Sequence, residues 1–164
     1  MDAASVVEVT RGADAVVNAI SPRPGTTGVA PSLADAARAL IAGLGVSGVK
    51  RLVVVGGAGS LEVAPGVALM DAPGFPEPYL AEAIEGRDAL EVYRNEAHGL
   101  DWTFLSPAAE IGPGERTGKY RTTRDQFLAD EQGKSFISYE DYAVALVDEL
   151  ENPRHVEQRF GVAY

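Results

Sequence analysis

The sequence has no cysteine. That excludes a disulfide framework, a thiolate metal site and a cysteine nucleophile. Histidine is almost as scarce: His98 and His155 stand far apart, so a histidine-based metal centre is not expected. Basic residues are outnumbered, 14 against 24 acidic, for a net charge of −10. A chain this acidic repels nucleic acid and anionic lipid surfaces, so neither is expected as a partner. No apolar run approaches a membrane span. The opening "MDAASVVEVT" carries acid and no basic flank, which argues against a signal peptide. Cytoplasm is the expected compartment. No paired-carboxylate, HExxH, P-loop or GxSxG signature is found.

What remains suits one globular domain. The 164 residues are 46% hydrophobic, enough to bury a core without staples. A segment over 2–11 carrying Val6, Val7 and Val9 has helical character. Strands are expected at 14–20, 51–55 and 100–107, the last stopped by Pro107, with a short terminal strand in "RFGVAY". "RLVVV" has no polar alternation, as in parallel sheets covered on both faces. Helices are expected behind two capping boxes. Ser32 and Asp35 precede a stripe of Leu33, Ala36, Ala37, Leu40, Ile41 and Leu44, and Ser138 and Asp141 precede "YEDYAVALVDELE". A third helix is expected over 77–97, weakened by Gly86. "SPRPGTTGVAP" (21–31) and the stretch from 56 to about 76 read as loops. "AEIGPGERTGKYRTT" reads as a loop leading into a strand, and "LADEQGKSFIS" as a hairpin turning near Gln132-Gly133. Alternation of this kind implies βαβ units: an α/β, Rossmann-like, three-layer αβα domain with a mostly parallel sheet.

The glycine cluster after "RLVVV" invites a phosphate-loop reading. Gly57-Ala58-Gly59 begins a G-x-G-x-x-G, but Glu62 stands where the last glycine belongs. The fingerprint is incomplete.

The segments "GADAVVNAI", "GVKRLVVVGGAGS", "GLDWTFLSPA", "ERTGKYR" and "ISYEDYAVALVDELE" occur in the order seen in atypical short-chain dehydrogenase/reductases. The chain resembles the NAD(P)H-binding, NmrA-like branch that includes flavin and biliverdin-B reductases. The resemblance implies an NADP or NAD cofactor and a small-molecule substrate such as a flavin or quinone. It also implies that the loops after the three strands line the nicotinamide half of the cofactor. Carried over, those positions are Ala19, Ile20 and Ser21; Gly56, Gly57 and Ala58; and Pro107, Ala108 and Ala109.

Members of the family open with a G-x-x-G-x-x-G turn before reaching "GADAVV". These residues hold no counterpart of that half. The expectation is therefore an N-terminally truncated domain, 1–164, with weak or no NAD(P)H binding by itself. Its strand 14–20 is expected to present an open edge that pairs with a second copy, unless the chain is a fragment.

The serine and Tyr-x-x-x-Lys of many short-chain dehydrogenases, whose tyrosine donates the proton, are not present in standard form, and Gly57 stands at the serine position. Ser60 and Tyr79 are the nearest candidates, but Ala83 stands where the lysine belongs after Tyr79, and Ala97 after Tyr93. Tyr79 reads better as packing or a pocket wall. That leaves hydride transfer to a flavin, which needs orientation more than a protein acid. The alternative is a non-catalytic NAD(P)-binding regulatory protein. Other residues read more plainly: Trp102 as core or subunit contact, His98 as a cap or solvated, Glu110 as a solvated loop. Arg116, Lys119, Arg121 and Arg124 read as a solvated basic face, and Asp141 as a cap.

Overall fold

The computed structural model describes residues 1–21 and 32–164. The loop reading for 22–31, and Pro31 ahead of the capping box, fall outside the described residues. The first helix is α1 (Ala3–Thr10), capped by Asp2, whose carboxylate accepts from Ser5 N at 2.8 Å. Strand β1 (Ala15–Asn18) follows and is shorter than the sequence suggests. It stops because the Asn18 side chain turns back and accepts the Ile20 N–H at 3.0 Å, an Asx turn that ends the extended run.

Helix α2 (Leu33–Ser47) starts where its cap predicts, with Ser32 Oγ accepting from Asp35 N at 3.1 Å. Gly48 closes it in the left-handed region at φ 80°. Strand β2 (Arg51–Val55) coincides with the apolar run, and Leu52, Val53 and Val54 are all buried. The expected loop beyond it holds a short hairpin, β3 (Glu62–Ala64) with β4 (Val67–Ala68). Helix α3 (Leu80–Glu96) is preceded by a 3-10 turn at Glu77–Tyr79 and runs unbroken through Gly86.

Strands β5 (Asp101–Ser106), β6 (Glu110–Gly112), β7 (Arg121–Thr123) and β8 (Phe136–Ser138) precede helix α4 (Tyr139–Glu151) and strand β9 (Gln158–Ala163). The main sheet has the order β1-β2-β5-β9-β7, parallel except for β7. The hairpin expected at 128–138 does not form. Its turn exists, because Asp130 Oδ1 accepts from Gln132 N and Lys134 N. The strand leaving that turn, β8, instead runs parallel to β6. Glu110 N donates to Ser135 O at 3.0 Å and Phe136 packs on Tyr164, and these contacts fix that pairing.

Two apolar clusters, one per face of the sheet, make the three layers. Val6, Leu40, Leu44, Leu90 and Tyr93 from α1, α2 and α3 pack on Leu52, Val54, Trp102 and Phe104. Tyr142 and Ala145 of α4 pack on Leu105, Phe160 and Val162. Trp102 is thus a core residue, 4% exposed.

Candidate cofactor site

In an open parallel sheet, ligands bind beyond the carboxyl ends of the strands. Here those ends, for β1 and β2, meet one side of α3 and enclose a cavity of about 140 Å³. Ala19, Ile20, Ser21, Gly56 and Gly57 line it, beside Asn18, Leu33 and the α3 residues Glu82, Gly86, Ala89 and Tyr93. The remaining sequence candidates lie elsewhere. Ala58 belongs to the turn that Leu61 N closes onto its carbonyl. Ala108 is buried with Leu105 and Ile137 against the α4 side, and Ala109 N donates to Ser135 Oγ at 3.1 Å. Pro107 is not among the cavity residues. The chain after β5 turns toward β6 and β8, away from this cavity.

Neither candidate proton donor lines the cavity. Ser60 Oγ accepts from Arg159 Nη1 at 2.8 Å, and Ser60 O accepts from the same atom at 3.0 Å. The Arg159 guanidinium is 4% exposed and tied also to Asp125 at 2.6 Å, so Ser60 is clamped to another wall. Tyr79 is 61% exposed, which corrects its reading as packing or pocket wall. It precedes α3 in the 3-10 turn and projects to solvent.

The glycine positions separate into structural and open ones. A Cβ at Gly56 would lie 2.1 Å from the Phe104 ring, so glycine there is required by packing. Among the described residues a Cβ at Gly57 or Gly86 would meet nothing within 4 Å, although both residues line the cavity. Gly43-Leu44-Gly45-Val46-Ser47-Gly48 spells G-x-G-x-x-G, yet it forms the last turns of α2 and not a strand-to-helix turn. Gly43 serves the approach of α1, since its Cβ would fall 2.5 Å from Val6 Cβ.

Sequence reasoning passed over the polar pair in this cavity. Asn18 Nδ2 donates to Tyr93 Oη at 3.1 Å. The Tyr93 ring is 1% exposed and rests against Trp102 and Phe104, with ring centroids 6.1 and 6.4 Å away. Burial pushes its phenol up to about 12, the Asn18 hydrogen bond only partly opposing it. It is a neutral hydroxyl throughout the physiological range. A polar residue at the last position of "AVVN" was the available signal.

The other single residues are settled by their contacts. His98 and Glu110 are exposed, as are Arg116, Lys119 and Arg124. Arg121 Nη2 donates to the Ala129 and Tyr164 carbonyls. Asp141 does more than its backbone role at the α4 cap. Its carboxylate accepts from Thr117 N (2.9 Å), Thr117 Oγ1 (2.5 Å), Gly118 N (2.8 Å) and Tyr164 Oη (2.7 Å). Burial alone would raise this carboxyl; those four donors outweigh it and hold it below the usual aspartate range. Among the described residues no helix is long and apolar enough to cross a membrane, and no group of His, Cys, Asp and Glu could hold a metal.

The sequence model of the NAD(P)H-binding family matches residues 1–153. The chain belongs to that family. A curated relative, "Uncharacterized protein YwnB" of Bacillus subtilis, is 45% identical over 153 residues, covering 91% of this chain and 70% of YwnB. The "Putative exported protein" of Burkholderia pseudomallei superposes with a TM-score of 0.90 at 48% identity, over 99% of this chain and 77% of that one. A "putative NADH-flavin reductase" of Streptococcus pneumoniae does so with a TM-score of 0.77 at 34% identity, over 96% and 74%. The Rossmann-like fold and the NAD(P)H-binding character of the family therefore stand.

The described residues can be tested against such a cofactor. At about 140 Å³ the cavity is well below the roughly 300 Å³ of a pocket that encloses a whole ligand. It has room for one ring-sized portion. The open space beside Gly57 and Gly86 would admit a flat ring against backbone. The residues fit the ring end of a dinucleotide.

Proposed function

We propose that this protein is an NAD(P)H-dependent oxidoreductase of the flavin- or quinone-reductase type. The observation that carries the reading is the small-walled, ring-sized cavity at the ends of β1 and β2. Bound there, a reduced nicotinamide would supply hydride. Ala19, Ile20 and Ser21, with Gly56 and Gly57 beside them at the end of the neighbouring strand, would hold the ring. Neither Ser60, held by Arg159, nor the exposed Tyr79 is placed to protonate a carbonyl. That favours an acceptor such as a flavin or quinone, whose reduction needs face-to-face orientation and not a positioned acid.

The same two residues support a second reading, an NAD(P)-binding regulatory protein without catalysis. One experiment separates the two. NADPH and NADH are each mixed with protein and FMN or a small quinone, and loss of the reduced-nicotinamide absorbance is followed. Turnover above the protein-free rate with either acceptor, at a cofactor concentration high enough to offset the weak binding expected without the pyrophosphate-binding turn, is the expected result. Saturable cofactor binding without turnover would leave the regulatory reading, and no binding of either cofactor would end both.

The edge of β1 offers a partner surface. Among the described residues β1 pairs only with β2, and Val17 and Ile20 beside it are about 40% exposed. An open apolar edge favours pairing with a second copy. Light scattering after size exclusion is expected to return a dimer; a stable monomer would end that part of the reading.

A further inference from the structure

The Asn18–Tyr93 pair shows a polarity that ordinary core packing does not require. Asn18 is held at both ends of its amide. Its Oδ1 takes the Ile20 N–H at 3.0 Å, so its NH₂ must face Tyr93. Tyr93 Oη therefore accepts, and its own hydrogen finds no acceptor among the described residues. The ring cannot swing to find one, because Trp102 and Phe104 flank it. A buried hydroxyl donor left in apolar surroundings is costly unless something completes it. The open side of this hydroxyl is the cavity; two other side chains that line it, Ser21 and Glu82, could accept, but the one hydrogen bond of Tyr93 Oη among the described residues is that with Asn18.

We propose that Tyr93 Oη is a specificity-determining donor, aimed by Asn18, that takes a neutral oxygen acceptor on the nicotinamide riboside end of the cofactor. This rests on the oxidoreductase or binding reading above, and it goes beyond that reading by naming the contact. Two oxygens share the required chemistry: the nicotinamide carboxamide and the attached ribose hydroxyls. A phenol that stays protonated donates to either; an anionic group is not required.

The test uses the full chain and three probes: NADPH, 2′-phospho-ADP-ribose, which keeps the ribose but lacks nicotinamide, and adenosine 2′,5′-bisphosphate, which lacks both. Tyr93→Phe removes only the hydroxyl and is expected to weaken NADPH roughly three- to tenfold, the worth of one hydrogen bond. An equal loss with 2′-phospho-ADP-ribose assigns the ribose oxygen; no loss there assigns the carboxamide. Adenosine 2′,5′-bisphosphate affinity is expected to stay unchanged, which a general structural defect would not allow. Asn18→Asp is the second variant. It keeps the contact but turns the Tyr93 proton toward the carboxylate, so NADPH is expected to weaken with thermal stability maintained. NADPH binding to both variants at the wild-type affinity, or parallel losses for all three probes, would overturn the proposal. Wild-type protein that binds neither NADPH nor NADH would defeat the underlying reading, and this inference with it.

Discussion

The two ends of the central strands carry polar clusters of opposite character. At the amino ends of β2 and β5, the Glu149 carboxylate is 3% exposed and saturated. It accepts from Arg51 Nη2 (3.1 Å), Arg154 N (3.1 Å), His155 N (3.0 Å) and His155 Nδ1 (2.8 Å). Thr103 Oγ1 closes the knot, accepting from Arg51 Nη1 at 2.8 Å and donating to His155 O at 2.8 Å, and the His155 ring stacks on Phe160. At the carboxyl ends, Asn18 and Tyr93 share one hydrogen bond and leave a donor facing a cavity. The carboxylate at the amino end is fully partnered, although the buried Arg51 Nε beside it finds no acceptor among the described residues; at the carboxyl end the unpartnered donor faces a cavity, where something else can complete it.

The comparison breaks first at the saturated end. Glu149→Leu would leave the Arg51 guanidinium, 11% exposed, without its carboxylate. Removing one partner of a buried pair costs about 3–5 kcal/mol. Denaturant unfolding should show a loss of that size, with the cavity end untouched as judged by the relative affinities of the three cofactor probes. A loss below about 1 kcal/mol would place the knot among weak surface pairs instead.

A smaller effect is expected from acid. Burial would raise the Glu149 carboxyl, but His155 and the Arg154 and His155 backbone N–H groups outweigh it, and it titrates below its ordinary 4.5. Asp141 titrates below its ordinary 3.8 for the like reason. A carboxyl depressed in the folded state binds its proton more readily when unfolded. Its stabilisation is therefore full above the unfolded value and is lost as pH falls through the folded one. The melting temperature is expected to hold from neutrality to about pH 5 and then decline steadily with further acidification. Asp141→Asn should shallow that decline, and an unchanged slope would remove this carboxylate from the account.

The saturated end also shows why legibility was uneven. Strand β2 and the caps of α2 and α4 were readable because their signals are local: an apolar run, a serine three residues before an aspartate. The hairpin at 128–138 was misread because a local turn was real while the partner of β8 lay far upstream in β6. Asp141 read as a cap because Ser138 precedes it; its carboxylate partners, Thr117, Gly118 and Tyr164, are more than 20 residues away. The cavity divides the same way. Strand-end residues at 19–21 and 56–57 came from the family resemblance, with the general rule that ligands sit beyond the carboxyl ends of such strands behind it. Asn18 and Tyr93 are separated by 75 residues and meet only once α3 crosses the end of β1.

The smallest change sharpens the comparison most. Gly86 lies mid-helix in α3, where glycine costs about 1 kcal/mol against alanine. A Cβ there would meet nothing within 4 Å beyond its own helix backbone among the described residues. Gly86→Ala is therefore expected to stabilise the fold by up to about 1 kcal/mol, seen as a raised melting temperature. The same methyl group would project into the space beside Tyr93 and Ala89. If that space takes a cofactor ring, NADPH affinity must fall as stability rises, by roughly fivefold or more for an overpacked contact. If both rise together, or binding is unmoved, the slot beside α3 is idle and glycine there has no role in the site. Opposite signs from one methyl group are hard to obtain from a purely structural position, since nothing among the described residues presses on that point.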